Sequence, residues 1–262
     1  MQRFALGIQY VGTAYHGWQR QQEGVRTLQL TLEEALSTVA NEPVELVAAG
    51  RTDKGVHAIE QVAHFETHAQ RTPYNWLRGI NALTPEDISV TWVQPVPSAF
   101  HARFSAQGRT YRYLLSFGTV KPALLMHRAA WVYGELALAP MQEAAKLLLG
   151  THDFSAFRAA DCQAKSPVKT LRRLTVQQHK NVMVFEAYAD GFLMHMVRNL
   201  VGALVAVGRG EKPVEWVADV LASGDRRHQG VAMPAQGLYM FKVDYPEHFQ
   251  LPQRPETYLM GL

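Results

Sequence analysis

The chain has 262 residues, 47% hydrophobic and 19% charged, with 26 Lys and Arg against 23 Asp and Glu for a net charge of +3. This is ample apolar material for a buried core in two modest domains or one large one, and it excludes a disordered or low-complexity chain. The single Cys, Cys162, excludes a disulfide framework and a zinc site built on several thiolates, so a reducing compartment is expected.

The opening residues lack a signal-peptide pattern, and the longest apolar run, Leu200–Val207, is far short of the ~18–20 residues a bilayer crossing needs. A cytoplasmic protein with no membrane partner is expected. Of the 26 basic residues 18 are Arg, whose planar fork suits phosphate and stacks on bases, which hints at nucleic acid.

In chain order, Phe4, Leu6, Ile8 and Tyr10 alternate as a strand, and a polar, aromatic loop follows over 12–20. Thr27–Ala40 reads as an amphipathic helix with Leu28, Leu32, Ala35, Leu36 and Val39 inward. Val44–Ala49 reads as a strand, Ile59–Phe65 as its return, Tyr74–Leu83 as a helix and Ile88–Val93 as a strand. Further on, Tyr111, Tyr113, Leu115 and Phe117 alternate, Pro140–Leu149 is a helix ending at Gly150, and Leu171–Tyr188 is a hairpin turning at 179–181. Helices over Phe192–Val207 and Val214–Ala222 and a strand over Leu238–Val243 complete the pattern. The mixture of hairpins and helical crossovers predicts α+β, with helices on one face of mostly antiparallel sheets. Pro95, Pro97 and Gly108 mark a boundary, giving domains of 1–105 and 106–262.

Three segments carry the chemistry. Gly50-Arg-Thr-Asp-Lys-Gly-Val-His57 crowds Arg51, Asp53, Lys54 and His57 into one tight turn between apolar strands. Turn propensity explains Asp53 and Gly55 but not the cations, and a carboxylate flanked by cations stays ionised, which suits a nucleophile or an electrostatic stabiliser. The apolar helix at Phe192–Val207 carries His195, Arg198 and Asn199 at i, i+3 and i+4. A buried Arg needs a partner, and Asp53 is a candidate; snorkelling to water is the plainer alternative. In Phe100-His-Ala-Arg-Phe-Ser-Ala-Gln-Gly-Arg-Thr-Tyr-Arg-Tyr113, basic and aromatic side chains interleave as on a surface that stacks bases and holds phosphates. A sheet strand with Tyr inside and Arg outside accounts for the same pattern. His57, His64 and His68 lack a metal-ligand geometry, and GxGxxG, GxxxxGK[ST] and GxSxG are absent.

Taken together, these runs resemble the tRNA pseudouridine synthase A family. The matching segments are Tyr15-His-Gly-Trp-Gln-Arg-Gln21, Gly50–Ala58, Phe100–Ala106 with Arg109–Tyr113, His152-Asp-Phe-Ser-Ala-Phe157, Gly191–Leu200 and Pro234-Ala-Gln-Gly-Leu-Tyr239, in the family's order over nearly the whole chain. The resemblance implies two similar ferredoxin-like (RNP-like) halves with an active-site cleft between them. It implies Asp53 as nucleophile, Tyr111 stacking on the target uracil and available for proton transfer at C5, and Arg198 pairing with Asp53. Arg51 and His57 would displace the base or hold RNA, with Arg103 and Arg109 as further substrate contacts. The family works without metal or organic cofactor, usually as a homodimer, on uridines 38, 39 and 40 of the tRNA anticodon arm. An RNA-binding protein without catalysis is the competing class, and it would have no need for a carboxylate–Arg pair. A glycoside hydrolase is disfavoured, since no second acid sits in a comparable motif.

Overall fold

The structure is a computed structural model and describes residues 1–252; residues 253–262 of the expected C-terminal domain lie outside it. It is mixed α+β and divides into two compact units, one of Met1–Gln107 with the described residues from Met240 onward, the other of Gly108–Tyr239.

The first unit runs β1 (Gln2–Tyr10), α1 (Leu28–Ala40), β2 (Val47–Ala48), β3 (His57–Thr67), α2 (Pro73–Leu83) and β4 (Ile88–Pro95). β1 pairs antiparallel with β3 on one side and β4 on the other, and β2 pairs antiparallel with β3. The third strand therefore lies between the first and the second, as in a split βαβ unit. Thr27 caps α1 and Thr72 caps α2, which opens on Pro73, where proline's missing N–H costs nothing. Phe4 stacks on Phe65 at 5.5 Å, and Trp76 of α2 meets Phe65 edge-on at 5.1 Å, so an aromatic cluster joins helix to sheet. β1 is covered on both faces: Gly7 lies under the Trp92 indole, where a Cβ would come within 2.2 Å of the ring nitrogen.

The predicted strand at 44–49 shrinks to the two residues of β2 for a specific reason. Glu33 of α1 accepts a hydrogen bond from Leu46 N at 2.9 Å, and Ser37 accepts one from Val44 N at 3.0 Å. Helix side chains satisfy backbone donors that a ladder would otherwise need.

The second unit runs β5 (Gly108–Gly118), β6 (Ala130–Tyr133), α3 (Leu138–Leu147), β7 (Gly150–Asp153), β8 (Val168–His179), β9 (Val182–Ala189), α4 (Met196–Gly208) and α5 (Trp216–Ser223). The last strand, β10 (Leu238–Asp244), begins here and ends in the first unit. The sheet order is β5-β9-β8-β7, antiparallel throughout, with β6 parallel to β5. The strand-between-strands arrangement recurs, β9 lying between β5 and β8. A β-bulge at Arg172 sets two adjacent arginines, Arg172 and Arg173, on the exposed side of β8.

Three helices move from their predicted places, α5 by starting at Trp216, two residues after the predicted Val214. α4 starts at Met196 rather than Phe192, because His195 takes a left-handed conformation (φ 62°) that a helix interior does not admit. α3 starts two residues earlier than predicted, with Pro140 in its first turn, and ends before Gly150, whose φ of 116° opens β7. β6 was not anticipated: four residues without flanking turn signals give too short a pattern.

Candidate active site

The loop between β2 and β3 carries Arg51, Thr52, Asp53 and Lys54, and it is pinned from several sides. Gln61 of β3 donates to Gly50 O at 2.6 Å, Trp18 N donates to Thr52 O at 2.9 Å, and the Tyr10 and Thr52 hydroxyls share a hydrogen bond at 2.7 Å. Val56 N donates to Asp53 O at 3.1 Å and Gly55 sits at φ 81°, which closes the turn beneath the Asp53 side chain. Asp53 is half-buried, while Arg51 and Lys54 are exposed. His57 is 1% exposed, and its Nδ1 accepts a hydrogen bond from Gly12 N at 3.1 Å. Its ring therefore lies inside the loop, below the surface that Arg51 and Lys54 form.

The loop at Tyr15–Gln21 is part of the same construction. A Cβ on Gly12 would come within 1.9 Å of Val56 O, and one on Gly17, already at φ 91°, within 2.7 Å of Thr52 O. Two glycines thus let one backbone lie directly against the Asp53 loop. Tyr15 is buried and donates to Asp87 at 2.6 Å beneath the Arg26 guanidinium, 4.4 Å above its ring. Burial first, and then the Asp87 carboxylate, push its phenol far above the usual range. At the surface, Lys54 Nζ and His16 Nε2 are 3.3 Å apart.

Arg103 belongs to a turn whose inner residues are fixed. Phe100 and Ala102 are fully buried, and the His101 Nδ1 accepts from both Arg103 N and Phe104 N at 3.2 Å. His64 Nδ1 accepts from Ala102 N at 3.1 Å. The turn pushes Phe104 outward, 75% exposed, with the Arg103 guanidinium 5.6 Å from its ring centroid. Phe104 stands outside the site residues that the sequence motifs mark. Its signal was an aromatic residue inside a polar turn, where no core packing calls for one.

In the second unit, Tyr111 lies on β5, 8% exposed, with its ring edge-on to Phe192 at 5.0 Å. Phe192, which periodicity places inside the helix, precedes α4 and packs on Tyr111 instead. Arg109, two residues earlier on β5, donates to Asp190 O at 2.9 Å. Arg198 sits in the first turn of α4, half-buried, and its Nε donates to Met233 O at 2.6 Å. Asn199 is buried and donates to Phe157 O at 2.7 Å. The predicted polar face of His195, Arg198 and Asn199 therefore divides: His195 occupies the position just before the helix, Asn199 braces the helix, and Arg198 is tied to the segment after α5.

A cavity of ≈ 170 Å³ elsewhere in this unit is lined by Ser116, Lys121, Met126, Trp131 and Pro234, and by none of the predicted site residues. Among the described residues no group of three or more His, Cys, Asp or Glu is placed to hold a metal, and no helix is long and apolar enough to cross a membrane.

Comparison with known proteins bears on what this arrangement does. A family model described as tRNA pseudouridine synthase matches residues 7–105 and 144–246. The chain is 49% identical over 252 residues to a tRNA pseudouridine synthase A of Pseudomonas aeruginosa, covering 96% of this chain and 88% of that one. It is 50% identical over 255 residues to the enzyme of the same description from Alcanivorax borkumensis, covering 97% and 96%. Against that of Methylibium petroleiphilum it is 49% identical over 256 residues, covering 98% of each. Among solved structures, a Cbf5-Nop10-Gar1 complex is matched at a TM-score of 0.37 and 11% identity, over 90% of this chain and 48% of that one, a likeness too remote to bear on function.

Proposed function

The chain belongs to the tRNA pseudouridine synthase A family of isomerases, and we propose that it converts uridines 38, 39 and 40 of the tRNA anticodon stem-loop to pseudouridine with Asp53 as nucleophile. The observation that carries the proposal is the half-buried Asp53 on a loop fixed by backbone and side-chain hydrogen bonds from three other segments. A carboxylate held in this way is preorganised for attack and spends little on reorganisation at the moment of reaction.

The reaction cuts the C1′–N1 glycosidic bond, turns the uracil and rejoins it to C1′ through C5, with loss of the C5 proton and gain of one at N1. It is redox-neutral and consumes no water, in keeping with the work without metal or organic cofactor that the family resemblance implies. A covalent intermediate on the Asp53 carboxylate divides the difficult step in two. The target base leaves the helical stack at a cost of a few kcal/mol, recovered by stacking in a pocket. In this reading Tyr111 is the stacking surface and takes part in proton transfer at C5, and Arg198 is the counter-charge of Asp53. Arg51, Arg103 and Arg109 hold RNA phosphates or the displaced base, and His57 serves them by bracing the loop from within. We read the two units as ferredoxin-like halves of a cytoplasmic homodimer that acts on tRNA, a reading supported by the family resemblance.

The test is incubation with unmodified tRNA followed by pseudouridine mapping, for the wild type, Asp53→Ala and Asp53→Asn. Product at 38–40 from the wild type and none from either variant is expected. A wild type that modifies no anticodon-arm uridine overturns the reading, and full activity of Asp53→Ala removes Asp53 as nucleophile.

A further inference from the structure

The segment from Val231 to Leu238 has no part in the chemistry above, yet it touches both elements that carry the second unit's site residues. On the α4 side it is locked to Arg198 twice, since Met233 N donates to Arg198 O at 3.2 Å and Arg198 Nε donates to Met233 O at 2.6 Å. One turn along the helix a Cβ on Gly202 would come within 2.1 Å of Val231 O, so only glycine lets the segment lie this close. On the β5 side Tyr113 is fully buried and donates to Pro234 O at 2.7 Å. Gly237 packs so tightly that a Cβ would come within 2.6 Å of the Tyr113 ring and 2.7 Å of Leu114 O. Tyr113 and Tyr111 are two residues apart on the same strand and point to the same face.

We propose that the Val231–Leu238 strap is a positioning device that sets the Arg198 guanidinium in register with Tyr111 through Met233 O, Pro234 O and the Tyr113 hydroxyl. The inference rests on the reading of Arg198 and Tyr111 as site residues and adds what aligns them. Binding Nε to a backbone carbonyl fixes the plane of the guanidinium and leaves its two terminal NH₂ groups, which form one edge of the fork, to face a carboxylate. Val231 itself is 83% exposed, so its place is set by its backbone contact and not by burial of its side chain. Tyr113 and the strap touch no reacting atom in this account; they are positioning residues.

The test is single-turnover kinetics on unmodified tRNA for Tyr113→Phe, Arg198→Ala and the double variant, with Gly202→Ala as a second probe of the strap. Loss of one hydrogen bond is worth about 1 kcal/mol, so Tyr113→Phe is expected to react about fivefold more slowly with tRNA affinity unchanged. In the Arg198→Ala background the same change is expected to have no further effect, because the hydroxyl acts through Arg198. The Arg198 Nε–H resonance, read by NMR, should move in Tyr113→Phe and in Gly202→Ala. An unchanged resonance and rate in Tyr113→Phe overturns the proposal, as does a loss of rate that is equally large with and without Arg198. A wild type that makes no pseudouridine instead overturns the functional reading, and the resonance still tests the strap.

Discussion

Gly12 shows how much of the site depends on the absence of a side chain. Its position against Val56 O leaves no room for a methyl group, and the atom opposing it is backbone, which cannot swing aside. Gly12→Ala should cost about 2 kcal/mol or more and lower the reaction rate at the same time, since the displaced chain is the one bearing Asp53; urea denaturation and a turnover assay together check this. His64 gives a prediction of a different kind. Burial first, then the charges of His101 and Arg3, lower its pKa from 6.5 to about 4, and its Nδ1 must stay unprotonated to accept from Ala102 N. A folded-state pKa below the unfolded one means that its contribution to stability is complete above pH 6.5 and is lost as the pH falls towards 4. Denaturation midpoints of the wild type should therefore fall between pH 7 and pH 4.5 more steeply than those of His64→Asn, whose amide oxygen can accept the same hydrogen bond without titrating; parallel curves would remove His64 as the cause. The cations crowding the turn at Asp53 and the apolar run around Arg198 were legible in the sequence, whereas Tyr111 stands out through the family resemblance. The inward place of His57 was not, because its acceptor role depends on Gly12, 45 residues away.

At the scale of elements, periodicity located each α-helix among the described residues, and the shifted start of α4 has a conformational cause. His195 ends the helical reading of Phe192 because a left-handed residue precedes α4, and sequence patterning cannot see a φ angle taken by a non-glycine. The β8–β9 turn holds a similar residue: Lys180, at φ 54°, between the paired residues His179 and Val182. Glycine takes this conformation without a Cβ penalty, so Lys180→Gly should stabilise the protein by about 0.5 kcal/mol, seen as a small rise in Tm. A fall in Tm would mean that the Lys180 side chain contributes more than its backbone strain costs. Strand β2 was over-read for an energetic reason that only the fold reveals, the Glu33 and Ser37 side chains having taken the place of a ladder.

At the scale of the whole molecule, a strand lies between two strands joined by a helical crossover in each unit, β3 between β1 and β2 and β9 between β5 and β8, although the sequence shows no repeat at the level of residues. The excess of Arg makes a related prediction for tRNA binding. Affinity should fall linearly with salt on a log–log scale, and Arg103→Ala should make the slope shallower by about 0.9 or less if that guanidinium holds one phosphate. Phe104→Ala should weaken binding by about 1–3 kcal/mol with the slope unchanged, as expected for a stacked base; equal slopes for wild type and Arg103→Ala would place Arg103 away from the backbone of the RNA. The bulge in β8 has a consequence for the length of the chain. Leu171 pairs with Ala189 and Arg173 with Tyr188, so Arg172 is the surplus residue of the ladder. Removing it would leave a regular register in which Leu171 still faces inward and Arg173 outward. Almost anywhere else in a paired strand a one-residue deletion turns the rest of the strand inside out. At this point the protein can lose one residue without exchanging its core for its surface.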